Sequence, residues 1–210
     1  MKTKLVLPCI RHFMRKRVVL LDDEVHLTGK ISQVFLHPTK GRVLGFAVHV
    51  AGQPIPMLIA FKYLLCTQAA PVADQVAALT DAFSIVEEFG IGATTYQDLL
   101  GARVLTEDGR HCGQIEEIYF GEEGLQTIYQ VRKTGWRGLF RKFYFIHGND
   151  GHFYSYCHRR LIFACGATRF KSLAAAVEGW LSAPLISDGA ETLPAPPPQS
   201  NNTHKMGAAA

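Results

Sequence analysis

The sequence predicts a mainly β protein with flanking helices, organised as two tandem small β-barrels that are each followed by a helix. Three observations predict this class. An internal repeat relates 19–50 to 103–132, and each copy has the order apolar strand, acidic turn, glycine, strand, polar turn and strand. The strand candidates are short and rich in β-branched and aromatic residues, which is typical of small barrels and sandwiches. A segment with helical periodicity follows each copy.

The two copies align through residues of the same physical role. Gly29 falls on Gly113, and a glycine inside a strand pattern marks a kink or a close approach of two backbones. The apolar strand positions that coincide are Ile31 with Ile115, Val34 with Ile118, Phe35 with Tyr119, Phe46 with Tyr129 and Val48 with Val131. We therefore expect both copies to form the same strands, each closing around its own hydrophobic core.

The repeat predicts the domain boundaries. The first domain is expected to span 1–91 and to end in an amphipathic helix that starts at Pro71 and continues its apolar spacing to Val86. The second is expected to span 92–185, with an inserted hairpin over FYFIHGNDGHFYSY and a C-terminal helix. The apolar face of that helix consists of Phe170, Leu173, Val177, Trp180 and Leu181. The Pro-rich stretch 186–210 predicts a disordered tail.

Composition and charge set the class of protein. Hydrophobic residues make up 48% of the 210 residues and charged residues 19%, as in ordinary globular proteins. The net charge of +4 permits an RNA, an anionic lipid or an acidic protein as partner without requiring one. No apolar run reaches the ~18 residues of a transmembrane segment. The five cysteines form no CxxC pair, so we expect reduced thiols and a cytoplasmic location.

Catalytic and metal sites are weakly indicated. Cys112 is adjacent to His111, but neighbouring residues on a strand point to opposite faces, which disfavours a thiol–imidazole pair. The candidate zinc ligands in the second copy are His147, His152, Cys157, His158 and Cys165. A zinc site usually has ligands at short sequence spacings, and these residues do not have such spacings. We predict no enzyme activity, no catalytic residue, no cofactor and no metal.

Paired glutamates occur at Glu116 and Glu117, within a predicted strand. Charges on the exposed face of an edge strand keep a sheet soluble and prevent it from pairing with other chains. We interpret the pair in this way, and a proton relay toward a partner is the alternative.

A basic and aromatic segment in the second copy is the predicted partner-binding surface. Its residues are Arg132, Lys133, Trp136, Arg137, Phe140, Arg141, Lys142 and Phe143, with Arg159 and Arg160 further along the chain. Arginine and aromatic side chains anchor protein interfaces, and the same combination binds RNA or an anionic membrane surface. The alternative is a solvated loop whose aromatic rings fold inward. A second basic cluster, at 11–17, adds to this surface or forms the solvated entry to the first strand.

The stretch LLGARVLTEDGRHCGQIEEIYFGEEGLQTIYQVR resembles the PRC-barrel family. This small β-barrel is shared by the cytoplasmic part of the photosynthetic reaction-centre H subunit and the C-terminal domain of the ribosome-maturation factor RimM. The matching positions are Leu99, Gly101, Val104, Asp108, Gly109, Gly113, Ile115, Ile118 and Phe120. The resemblance implies two tandem PRC-like barrels that bind or scaffold and carry no shared catalytic residues.

The expected function is therefore that of a non-catalytic accessory protein that binds a larger complex through these barrels. We expect it at the cytoplasmic face of a photosynthetic or other membrane assembly, with peripheral rather than spanning membrane contact. A factor that associates with RNA or the ribosome during maturation is the alternative.

Overall fold

The computed structural model describes residues 7–14, 16–21, 26–37, 40–66, 71–74, 93–121, 126–133, 142–155 and 159–182. These residues form a mainly β protein with two sheets and few helices, which confirms the mainly β character of the predicted class. The first sheet contains β1 (Arg17–Leu21), β2 (His26–Leu36), β3 (Val43–Val50), β4 (Met57–Ala60), β5 (Leu64–Cys66), β6 (Pro71–Asp74) and β7 (Thr94–Thr95). The second contains β8 (Arg103–Thr106), β9 (His111–Phe120), β10 (Thr127–Arg132), β11 (Phe143–His147), β12 (Gly151–Ser155) and β13 (Arg160–Phe163). The helices are α1 (Ile10–Phe13), α2 (Tyr96–Leu99) and α3 (Leu173–Ser182), with single 3-10 turns at Phe61–Tyr63 and Gly148–Asp150.

The two sheets have the same strand order. The first runs β4-β3-β2-β1-β6-β5, with β7 added to β2, and the second runs β11-β10-β9-β8-β13-β12. In each sheet the first four strands are antiparallel, and a later strand returns parallel to the first one of the copy: β6 beside β1 and β13 beside β8. The repeat found in the sequence is thus present in the topology.

The aligned glycines occupy the same place in both sheets. Gly29 lies opposite Val18, and Gly113 lies opposite Val104. A Cβ atom at Gly29 would collide with the side chain of Val48, and one at Gly113 would collide with the carbonyl oxygen of Arg132. The prediction of a close backbone approach at these glycines is confirmed.

The segment that precedes each copy docks on the other copy. Cys9 forms a β-bridge with Tyr119, and the N–H of Phe120 donates to the carbonyl of Pro8 at 3.3 Å. In the same way, β7 pairs with the end of β2, with Thr95 opposite Phe35. Each docked segment continues into a one-turn helix, α1 after Cys9 and α2 after Thr95. The two copies are therefore interlocked by a reciprocal exchange of segments.

The interior is shared by the two copies. Most buried residues of both sheets form one continuous cluster, with a smaller one beside α3, so the expectation that each copy closes around its own core is wrong. At the centre of the larger cluster lies the ring of Phe13, from α1. Its ring centre is 5.2 Å from that of Phe46 and 5.3 Å from that of Phe120, and the Phe13 and Phe120 rings meet edge-to-face. Phe61 completes the group, 5.7 Å from Phe46 and 5.8 Å from Phe120. Edge-to-face aromatic pairs add to the stabilisation that burial gives.

The prediction that a helix starts at Pro71 is wrong. Pro71–Asp74 forms strand β6, which pairs parallel to β1 and antiparallel to β5. Two neighbouring strands supply hydrogen bonds on both sides of this segment, and proline is tolerated at the first residue of a strand. The rest of the predicted helix, to Val86, lies outside the described residues.

The C-terminal helix is confirmed as α3, although Phe170 lies before it in a β-bridge with Phe145. Leu173, Val177 and Trp180 pack in one cluster with Ile128 of the second sheet, whereas Leu181 is 77% exposed and does not belong to the apolar face. The predicted tail, 186–210, lies outside the described residues.

The predicted inserted hairpin is wrong. Its two strands, β11 and β12, pair with β10 and β13 and lie at opposite ends of the strand order. They are joined by one 3-10 turn, Gly148–Asp150, instead of a hairpin turn. The same arrangement joins β4 to β5 through Phe61–Tyr63, so this segment is part of the repeat and not an insertion.

Candidate functional site

A row of side chains crosses the outer face of the second sheet. Arg160 lies opposite Arg103, Arg103 opposite Gln114, Gln114 opposite Arg132, and Arg132 opposite Phe143. Directly opposed residues of neighbouring strands project from the same face of a sheet. The row therefore brings together three of the predicted partner-binding residues, Arg132, Phe143 and Arg160, from separate parts of the chain.

The charges of this row are partly balanced within the sheet. The Nε atom of Arg132 lies 3.4 Å from a carboxylate oxygen of Glu116, and its Nη2 donates to Gln114 at 3.3 Å. Lys133 is exposed and places its ammonium 5.6 Å from the ring centre of Tyr144. Arg103 and Arg160 are exposed to solvent. Positive charge is thus most accessible at the β8 and β13 end of the row.

Arg159, another predicted partner-binding residue, has a role inside the chain. Its guanidinium donates to the carbonyls of Gln97, Asp98 and Leu100, the last at 2.6 Å. The last carbonyls of a helix have no partner within the helix, so a guanidinium placed there satisfies them. Arg159 therefore fixes the end of α2 to the start of β13.

The remaining predicted partner-binding residues divide into two groups. Lys142 is exposed beside β11. Trp136, Arg137, Phe140 and Arg141 lie outside the described residues.

The first sheet carries a corresponding row of basic side chains that was not predicted from the sequence. Arg17 lies opposite Lys30, and Lys30 lies opposite His49, all three exposed. A cleft of about 500 Å³ opens at this row, lined by Met14, Lys30, Ile31, Ser32 and His49. The repeat alignment contains a signal that could have found it, because Lys30 takes the position of Gln114 when Gly29 is placed on Gly113.

A buried carboxylate joins the two copies. Glu117 is 7% exposed and accepts hydrogen bonds from the hydroxyl of Tyr96 at 2.8 Å and from the N–H of Ile118 at 3.0 Å. The Nε atom of Arg11, on α1, lies 3.2 Å from its second oxygen. Burial, and then the hydrogen bond to Glu117, raise the pKa of Tyr96, and the pKa of Arg11 is raised by its contacts with Tyr96 and Glu117. Glu117 therefore anchors α1 and α2 to β9.

The interpretation of Glu116 and Glu117 as charges on an edge strand is wrong. The strand that carries them, β9, lies between β8 and β10. Because side chains alternate along a strand, Glu116 stays half-exposed beside Arg132 while Glu117 points to the interior.

The histidine and cysteine candidates have structural contacts. A ring nitrogen of His147 lies 2.8 Å from the carbonyl oxygen of Ala176 in α3, and the ring stacks on Trp180 at 5.7 Å. The sulfur of Cys112 accepts a hydrogen bond from Arg169 at 3.1 Å. Within the ranges that the structure describes, no group of three or more His, Cys, Asp or Glu side chains is arranged to hold a metal ion. His152, Cys157 and His158 have side chains outside the described set.

Comparison with known proteins adds no family. Neither a protein-family model nor a curated protein matches this chain. None of the helices in the described part of the chain has the length and apolar character that crossing a bilayer demands.

Proposed function

We propose that this protein is a non-catalytic accessory protein that docks onto a larger protein assembly through the cationic outer face of its second sheet. The observation that carries the proposal is the row Arg160–Arg103–Gln114–Arg132, which collects positive charges from three strands on one face. The basic and aromatic residues of 134–141 follow Lys133 directly in the sequence. Arginine beside aromatic side chains is the combination enriched where protein interfaces bind most strongly.

The interlocked architecture supports such a role. Opposing charges on two rigid surfaces increase association rates and select partners of complementary charge. The shared core and the anchor at Glu117 hold the second sheet in a fixed relation to α1 and α2. Binding therefore need not include the cost of ordering the sheet.

We further propose that the two copies are PRC-like barrels and that the assembly is located at the cytoplasmic face of a photosynthetic or other membrane. The resemblance of 99–132 to the PRC-barrel pattern and the repeated strand order support this proposal. An RNA or ribosomal partner would use the same cations, because phosphate contacts also require exposed arginine and lysine.

The test is recovery of the partner from native membranes with the tagged full-length chain. The double variant Arg103→Glu, Arg160→Glu reverses the exposed end of the row, and Lys171→Glu is a matched control at an exposed position outside it. We expect the wild type and Lys171→Glu to recover a defined complex and the double variant to lose it.

Recovery of the wild type only as a free monomer would overturn the proposal, as would equal recovery by the double variant. A complex that ribonuclease disperses, and whose affinity falls steeply with salt, would assign the RNA alternative instead.

A further inference from the structure

The row of basic residues on the first sheet places the like charges of Arg17 and Lys30 side by side. Arg17, Lys30 and His49 lie directly opposite one another on β1, β2 and β3. Side chains in such positions have Cβ atoms about 5 Å apart, and like charges there are destabilising. Neighbouring strands are ~4.8 Å apart, so three basic side chains lie within about 10 Å. A bound anion would offset this repulsion.

The first sheet lacks the acidic compensation that the second one has at Arg132. Placing Gly29 on Gly113 puts Lys30 at the position of the neutral Gln114 and Ser32 at the position of Glu116. Glu116 balances Arg132 in the second sheet, whereas the Ser32 hydroxyl donates to the carbonyl of Ala47 at 3.1 Å. In the described part of the chain, no carboxylate pairs with Arg17, Lys30 or His49.

Two of these basic residues, Lys30 and His49, also line a concave surface. Lys30 and His49 form part of the wall of the cleft of about 500 Å³, beside the side chain of Met14 at the end of α1. Clefts of roughly 300–1,000 Å³ are the size that accommodates small molecules. The position of Met14 places an apolar surface next to the charges.

We propose that this cleft binds the phosphate group of a small phosphorylated ligand, with Lys30 and His49 contacting phosphate oxygens and Arg17 adding positive charge at the edge. A phosphate ester carries up to two negative charges and three terminal oxygens, which suits two neighbouring cations and an imidazole better than a carboxylate with one charge does. Met14 would contact the apolar or carbon part of the ligand. This site is separate from the docking surface of the second sheet and does not depend on it.

The test is a titration of the full-length chain with inorganic phosphate at constant ionic strength, followed by amide chemical shifts and by the melting temperature. We expect saturable shifts confined to residues around Lys30, Ser32 and His49. The melting temperature should rise with phosphate, because a ligand that binds the folded state stabilises it. Replacement of phosphate by chloride should produce neither effect.

Matched variants separate a specific site from general charge screening. Lys30→Gln introduces the residue that the second copy has at this position, so it should fold, and we expect it to weaken phosphate binding at least tenfold. Arg103→Gln removes a cation from the equivalent row of the second sheet, and we expect it to leave phosphate binding unchanged. Shifts that do not saturate, or equal losses in the two variants, would overturn the proposal.

Two further probes identify the source of the phosphate. Glycerol 3-phosphate that shifts the same amides, without binding of the protein to vesicles, would assign a soluble phosphate ester. Cosedimentation with vesicles containing phosphatidic acid, lost in Lys30→Gln and absent with phosphatidylcholine alone, would assign a lipid headgroup. Either result supports the cleft as a phosphate site, and failure of both probes would overturn it.

Discussion

Replacement of Tyr96 by phenylalanine tests the anchor between the two copies. The Tyr96 ring is buried, and its hydroxyl donates to the Glu117 carboxylate at 2.8 Å. Phenylalanine keeps the ring packing and removes the hydroxyl, with its hydrogen bond to Glu117 and its contact with Arg11. A hydrogen bond to a charged group contributes about 1.5–3 kcal/mol. Glu117 keeps its contacts with the Ile118 N–H and with Arg11, so it is not left without partners. We expect Tyr96→Phe to lower the free energy of unfolding by about 2 kcal/mol.

The assay is urea unfolding of the full-length chain, with Tyr144→Phe as the matched control. Tyr144 is also a buried tyrosine, but its hydroxyl donates to a neutral acceptor, the carbonyl of Cys112, at 3.1 Å. Loss of a hydrogen bond between neutral groups costs about 0.5–1.5 kcal/mol. The m-value should stay the same in both variants, since neither changes the surface exposed on unfolding. A loss in Tyr96→Phe no larger than that in Tyr144→Phe would refute the role of Glu117 as a charged anchor.

Three further predictions concern stability. Gly113→Ala should cost about 3 kcal/mol in urea unfolding, because its Cβ meets the Arg132 carbonyl at a φ of +151°. Gly109→Ala, at a φ of +78° with open space around it, should cost about 1 kcal/mol, and equal costs would contradict the close approach. Burial raises the pKa of Tyr129 from 10.0 to about 12. The stability that the protonated Tyr129 side chain contributes is therefore complete below pH 10 and is lost as the pH rises through 12. At about 1.36 kcal/mol per pH unit, the wild type should lose about 2 to 3 kcal/mol more than Tyr129→Phe over this range, and parallel losses would argue against it. Arg159→Lys should lower the melting temperature, because an ammonium cannot donate to the α2 carbonyls as a guanidinium does; an unchanged melting temperature would show that these bonds contribute little.

The repeated strands could be predicted because their signals are local. β-branched and aromatic residues favour extended backbone wherever they cluster, and a glycine required for close approach is visible as a single letter. The strand register agrees with the alignment of the two copies. Ile31 lies opposite Val48 and Ile115 lies opposite Val131, so aligned residues form equivalent pairs. Both pairs face the shared core.

The errors occurred where pairing between distant residues decides the structure. Pro71–Asp74 begins a sequence with helical spacing, yet β1 lies beside it and provides a parallel partner about fifty residues earlier in the chain. The turn residues between β11 and β12 predict a hairpin, but β10 and β13 are available to pair with these two strands separately. A local pattern predicts that a segment is extended, and it does not identify the strand that will lie next to it.

The row of the first sheet was missed, and the row of the second was predicted only in part, for a related reason that bears on function. Each row of cations takes one residue from each of several strands, so neither forms a run of charge in the sequence, and both become visible only in register. The two copies share the fold and differ in the charges on their outer faces. Lys30 and Ser32 leave the first face with uncompensated positive charge, whereas Gln114 and Glu116 reduce it at the matching positions of the second. Substitutions on a solvent-facing row cost little stability, so the fold itself does not require the two rows to differ. The difference in charge is therefore the basis on which we propose separate ligands for the two faces.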